Sequence, residues 1–159
     1  MLDIIATLSF SSPDDTAGFA VRMGSILRPS DVILLHGGIG AGKSFFARAL
    51  IQSVQDVPED VPSPTFTLVQ TYDTQLGEIW HADLYRLSGP DEVIELGLLD
   101  AFETAISLIE WPDRLADLSP QTALHLTFTA QNDDTRTLTI AGNADLWKTR
   151  MTAVLHDPS

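Results

Sequence analysis

The run Gly37-Gly38-Ile39-Gly40-Ala41-Gly42-Lys43-Ser44 satisfies the phosphate-loop pattern G-x-x-x-x-G-K-[ST], and nothing else in the chain restricts its fold as much. Such a loop works between a buried strand and a helix. Its glycines turn consecutive backbone N–H groups inward, and the helix aims its positive end at the bound anion. The flanking sequence supplies both parts: residues 32–35 are a short apolar run of the kind a buried strand shows, and residues 43–54 continue as a helix. The expected ligand is a magnesium–nucleoside triphosphate, with ATP as the expected nucleotide. Gly38, Ile39, Gly40, Ala41 and Gly42 would cradle its phosphates, Lys43 would neutralise the outer ones, and the Ser44 hydroxyl would ligate magnesium. The plain alternative is a glycine-rich turn with no ligand.

The rest of the chain reads as one α/β domain over residues 1–159, a P-loop NTPase-like fold with a mixed β-sheet flanked by helices. Residues 4–10 read as a first strand. Ser12, Pro13 and Asp15 then form a capping-box pattern opening a helix to about Arg28. Residues 58–64 are a proline-rich loop, and residues 66–72 and 78–84 read as a hairpin around Gln75-Leu76-Gly77. A helix follows over 91–102 and an apolar strand over 105–109. Strands at 122–130 and 135–140 flank the turn Gln131-Asn132-Asp133-Asp134, and a last helix covers 144–155. No repeat or linker interrupts this order.

A phosphate loop needs an acidic partner for its metal at the end of a neighbouring apolar strand. Glu110 is the first charged residue after Ile106-Ser107-Leu108-Ile109 and fits that place; otherwise it is a solvated strand-end glutamate. Asp83, in His81-Ala82-Asp83-Leu84-Tyr85-Arg86, either orients an attacking water, holds magnesium through water, or is bonded to backbone at a strand end. Ser63-Pro64-Thr65-Phe66-Thr67-Leu68-Val69 is either a hydroxyl-bearing switch that orders around a γ-phosphate or a proline turn entering a strand. His36, His81, His125 and His156 lack ligand spacing to one another and read as structural or surface residues.

Charge and composition remove several function classes. Nine Lys and Arg stand against 22 Asp and Glu, for a net charge of −13. A nucleic-acid backbone would repel such a chain, so tRNA could enter its function only indirectly, through a partner. The lysines are Lys43 and Lys148, and the first lies in the phosphate loop. The absence of cysteine excludes disulfides and thiolate zinc sites and agrees with a cytoplasmic protein. No run approaches the roughly 20 apolar residues of a membrane span, and the start MLDIIATLSF lacks the basic region of a signal peptide.

GGIGAGKS, SPTFTLV, HADLYRL, ELGLLDAF (95–102) and LIEWPDRL (108–115) occur in the order and spacing of the bacterial TsaE family, formerly YjeE. The chain resembles this family over essentially its whole length. The family consists of small ATPases of tRNA threonylcarbamoyladenosine biosynthesis that act with a TsaB–TsaD protein pair. The resemblance implies that Ser44 and Glu110 bind magnesium, that Thr65 faces the γ-phosphate, and that Asp83 is required for hydrolysis. It further implies that Trp111 lies beside the nucleotide and that the segment around Thr16 contacts adenine. Ser44-Phe45 stands where the family usually has Thr-Thr; serine keeps the hydroxyl. Asp100 and Asp113 stand where Glu is common.

The resulting expectation is a magnesium-dependent ATPase with slow turnover alone, because no arginine is an obvious built-in finger. Arg86 and Arg114 lie nearest the motifs. A small-molecule kinase is the first rival, although the arginines are scattered singly instead of gathered in a lid. A GTPase ranks lower: N-K-x-D is missing, and the D-x-x-G of Asp15 to Gly18 precedes the loop. A nucleotide-gated binding module with little intrinsic hydrolysis is the third.

Overall fold

A central strand with the pattern Val-Ile-Leu-Leu can stay dry only if both faces of its sheet are covered, and that is how the chain is built. The computed structural model describes residues 2–38, 40–62, 64, 68–131 and 135–155. Its strands are β1 (Asp3–Phe10), β2 (Val32–His36), β3 (Val69–Thr74), β4 (Gly77–Asp83), β5 (Ile106–Glu110), β6 (Leu124–Ala130) and β7 (Arg136–Gly142). They form one seven-stranded sheet in the order β1-β7-β6-β2-β5-β4-β3. The inner strands β6, β2, β5 and β4 run parallel. The outer pairs β1–β7, β6–β7 and β3–β4 are antiparallel, so the sheet is mixed.

The helices are α1 (Pro13–Gly24), α2 (Lys43–Val54), α3 (Pro90–Glu95), α4 (Leu98–Thr104) and α5 (Ala144–Leu155), with a 3-10 segment over Pro112–Leu118. One sheet face, with Ile33, Leu35, Ile79 and Leu108, packs under Phe19 of α1, Phe46 and Leu50 of α2, and Trp147 of α5. The other, with Leu34, Ala82 and Ile109, meets Val93 of α3, Phe102 of α4, Leu87 and Leu115. Parallel strands covered on both sides put their carboxyl ends, and the loops that leave them, along one rim. His36, Asp83 and Glu110 all end there.

Several boundaries differ from the sequence reading. The helix expected over 91–102 is two helices, because Gly97 adopts a left-handed φ of 84° and ends the first turn pattern. The first helix stops at Gly24 instead of about Arg28. Arg28 precedes Pro29, which disfavours helical geometry there, and its N–H is donated to the Asp31 carboxylate at 2.8 Å. The predicted cap holds in modified form. Ser12 Oγ accepts the Asp15 N–H at 3.4 Å, while the Asp15 carboxylate accepts the N–H of Ser11, at 3.0 Å. The hairpin's first strand is described from Val69, behind Leu68 at φ 68°, while Phe66 and Thr67 of the expected strand lie outside the described residues. The 3-10 segment had no counterpart among the expected elements. Asn132 to Asp134 of the expected turn lie outside the described residues.

Candidate functional site

The loop leaves β2 at Gly37, where only glycine fits: φ is 142°, and a Cβ would lie 2.6 Å from the Phe128 carbonyl oxygen. Ala41 N–H is donated to the Gly38 carbonyl at 3.2 Å, and α2 starts behind Gly42 with Phe46 N–H on the Gly42 carbonyl at 3.0 Å. Lys43 is therefore the first residue of α2. Its side chain folds back over the loop, with Nζ 2.7 Å from the Gly37 carbonyl and 3.6 Å from the centre of the Trp111 ring. The lysine is only 5% exposed. Burial pulls its ammonium below the ordinary lysine range, while the Glu110, Asp83 and Asp113 carboxylates pull it back up.

Ser44 faces the end of β5. Its hydroxyl lies 2.9 Å from each carboxylate oxygen of Glu110, which is 3% exposed. Asp83 is the register partner of Glu110 across the parallel β4–β5 pair, so the two carboxylates stand side by side on one sheet face. Asp83 is 5% exposed, and its Oδ1 accepts the Tyr85 N–H at 3.0 Å. That bond to backbone was one of the readings open from sequence. Its place beside Glu110 leaves the aspartate within the same small site.

Trp111 turns the chain sharply just after Glu110, at φ 56° and ψ 55°. A bulky residue in that region costs about 1–3 kcal/mol and is held there by its surroundings. Here those are the Lys43 ammonium and the Tyr85 ring, 4.9 Å away centre to centre. Thr16 is buried in the first turn of α1, and no described hydrogen bond joins its side chain to the loop. Ile39, Thr65 and the neighbouring Ser63, Phe66 and Thr67 lie outside the described residues, as does His156. Of the expected site residues, the structure thus gathers Gly38, Gly40, Ala41, Gly42, Lys43, Ser44, Asp83, Glu110 and Trp111.

Two residues at the site escaped the sequence reading. Arg136, the first residue of β7, donates from Nη2 to the Gly40 carbonyl at 3.3 Å and flanks the loop, whereas Arg114 donates to the Tyr85 carbonyl. His81 is 1% exposed, and its Nε2 lies 2.7 Å from Glu110 Oε2. The period of two along β4, which puts His81 on the same face as Asp83, was the available signal. A further pair, His36 and His125, stacks at 5.1 Å with Nε2 and Nδ1 2.9 Å apart, beside the start of the loop. Burial lowers the pKa of both. Asp113 opposes the shift at His36 and Lys43 adds to it, and His36 adds to the shift at His125.

Chemically, the described residues of the rim offer the Lys43 ammonium, the Arg136 guanidinium, the Ser44 hydroxyl and the Asp83 and Glu110 carboxylates. The Ser44 and Glu110 oxygens are hard donors of the sort that suit a small divalent cation. Among the described residues no three His, Asp or Glu side chains gather into a metal cluster, and no helix is long and apolar enough to cross a membrane.

Fold and site together define a mixed α/β protein with a phosphate-loop sequence at the carboxyl end of a central parallel strand. Residues 10–138 match the family described as "Threonylcarbamoyl adenosine biosynthesis protein TsaE". The chain is 38% identical over 126 residues to the "tRNA threonylcarbamoyladenosine biosynthesis protein TsaE" of Rickettsia bellii, covering 79% of this chain and 88% of that one. Against the protein of the same name from Bacillus subtilis the identity is 32% over 135 residues, with 83% and 84% covered. The crystal structure of YdiB from Bacillus subtilis superposes with a TM-score of 0.78 over 97% of this chain and 95% of that one; at 24% identity it shows a shared fold. The chain belongs to the TsaE family.

Proposed function

We propose that this protein is a magnesium-dependent ATPase of the cytoplasm that serves threonylcarbamoyladenosine formation on tRNA, working with a TsaB–TsaD pair. The observation that carries the reading is the contact of Ser44 with Glu110. A phosphate-loop hydroxyl and a buried strand-end carboxylate are drawn together at 2.9 Å, with Lys43 poised beside them. Family membership and the printed names of the relatives support the pathway. Family resemblance supports the partners, and a chain of net charge −13 suits an accessory that leaves tRNA to others.

The residues divide the work as follows. Backbone N–H groups of the loop and Lys43 bind the phosphates and stabilise the charge that develops as water attacks the γ-phosphorus in line and ADP leaves. Lys43 exchanges the Gly37 carbonyl and part of its Trp111 contact for phosphate oxygens, which hold a cation better than a neutral carbonyl does. Ser44 and Glu110, an all-oxygen donor pair, would hold the magnesium ion. When bound, that ion neutralises the outer phosphates. Asp83, buried beside Glu110 with Oδ1 on the Tyr85 N–H, or Thr65 places the attacking water. By family resemblance Thr65 faces the γ-phosphate, and the segment around Thr16 takes the adenine. Trp111 walls the site beside Lys43.

The test is magnesium-dependent ATP hydrolysis by the purified protein, alone and then with TsaB and TsaD, using Lys43→Ala as the blank. Slow release of phosphate that rises when the pair is added supports the reading. Phosphate appearing only on an added small-molecule acceptor would move the protein to the kinases.

A further inference from the structure

We propose that His81 is a positioning residue for Glu110. It fixes one carboxylate oxygen, so that the other is presented to a divalent cation when the Ser44 hydroxyl turns to that cation. The inference rests on the magnesium–nucleotide reading of the site and assigns a task to a residue that reading does not use.

Glu110 has two kinds of partner. An ionised carboxylate only accepts, so His81 must donate to it from Nε2, and it does so at 2.7 Å with both side chains almost wholly buried. Ser44 lies 2.9 Å from both oxygens, but a hydroxyl has a single proton and gives two acceptors at most a shared, weaker bond each. The Ser44 contact is therefore the divided and exchangeable one, and the His81 contact is the fixed one. The register explains why. His81 sits opposite Leu108 on the parallel strand, two residues before the Asp83–Glu110 pair, so its ring lies on the same sheet face and reaches up to the carboxylate from below. Its other nitrogen, Nδ1, has no hydrogen-bond partner among the described residues. Orphaned buried nitrogens are rare in folded proteins, and they call for a reason that the other end of the ring can supply.

A carboxylate that serves a metal is itself usually held by a hydrogen bond, and losing that hold costs roughly 10- to 100-fold in metal affinity. With Oε2 held by His81, Oε1 has only the exchangeable Ser44 hydroxyl as partner, which leaves it as the oxygen for a single ligand position. Without His81 the carboxylate is free to rotate and to stay doubly engaged with Ser44.

The experiment compares wild type, His81→Ala and His81→Gln by titrating ATP at a series of magnesium concentrations and again in EDTA. Gln is included because its amide nitrogen can reach where Nε2 stands. The expected result is that His81→Ala needs about 10- to 100-fold more magnesium for half its gain in ATP affinity. Its metal-free ATP affinity stays within about twofold of wild type, and His81→Gln restores most of the magnesium response. A His81→Ala protein with the wild-type magnesium requirement overturns the inference, and so does one that loses metal-free affinity in proportion. A Gln variant no better than Ala would also overturn it, since the hydrogen bond would then not be what matters. If wild type itself binds ATP equally with and without magnesium, the underlying reading fails as well, which separates the two failures.

Discussion

Asp31, just before β2, and Lys43, just beyond its carboxyl end, are both charges withdrawn from water, yet the chain surrounds them differently. Asp31 is saturated. Both of its oxygens accept from the Arg150 guanidinium, one of these bonds measuring 3.0 Å from Nη1, and Oδ2 also accepts the Arg28 N–H at 2.8 Å. Arg150 in turn donates to the Ile26 carbonyl at 2.8 Å and lies over the Trp147 ring at 4.3 Å. At the other end no described carboxylate oxygen pairs directly with Lys43, which rests on a carbonyl and an aromatic face. Nearby Trp111 is strained, Glu110 shares a single hydroxyl proton between two oxygens, and His81 keeps an unmatched nitrogen. A structural charge is closed by its own fold. The charge to which the proposed function gives a ligand is left with bonds that such a ligand would improve, and the departures from local rules gather there.

The largest effect expected from this contrast is at Lys43. Lys43→Ala should cost about 3 kcal/mol of ATP binding, a loss of about 100-fold read by calorimetric titration, while the variant stays folded. Next comes Arg150→Met, which strands Asp31 without its partner. Chemical denaturation should show a stability loss of about 3 kcal/mol, with ATP affinity held within about twofold. Should Arg150→Met instead weaken ATP binding, the two ends of β2 would not be separable as described.

Arg136→Gln removes the guanidinium that braces the Gly40 carbonyl and flanks the loop. A drop of about 1.5 kcal/mol in ATP affinity is expected from the same titration, roughly tenfold. The smallest effect is the histidine pair. Burial holds both His36 and His125 below their ordinary value of 6.5, so the native state takes up fewer protons than the unfolded chain as pH falls through that value. Their contribution to stability is complete above 6.5 and is lost as pH falls through the lowered native values. Melting temperature should therefore decline as pH falls below about 6.5, and a His125→Gln variant should show a shallower decline. An unchanged slope would mean that the carboxylates alone carry the acid sensitivity.

What could be read from the sequence was whatever lies within one element or at its end. The phosphate loop is contiguous. Glu110 announces itself as the charge that closes an apolar run, and Asp83 ends a hairpin strand. The helices of 43–54 and 144–155 have the bounds the pattern gives. Arg136 was out of reach because its partner Gly40 is 96 residues away and β7 comes near the loop only through the order β7-β6-β2. His81 needed the same kind of knowledge, since the register of β4 on β5 decides which histidine meets which glutamate. The break at Gly97 and the left-handed Trp111 were missed for another reason. Single-residue backbone choices are set by what packs on either side, here the Trp80 ring beside Gly97 and the Lys43–Tyr85 setting of Trp111.

The central claim is that Ser44 and Glu110 receive a magnesium ion together with ATP. Two carboxylates close to a triphosphate repel it, at about 4 kcal/mol per pair for a separation of about 4 Å and an effective dielectric of about 20. Titrating ATP into the protein in magnesium and then in EDTA, with Glu110→Gln alongside, tests this directly. The prediction is binding at least about tenfold tighter with magnesium in wild type, and a much smaller difference in Glu110→Gln, where one repelling charge and one ligand are gone. Equal wild-type affinity with and without the metal would contradict the account.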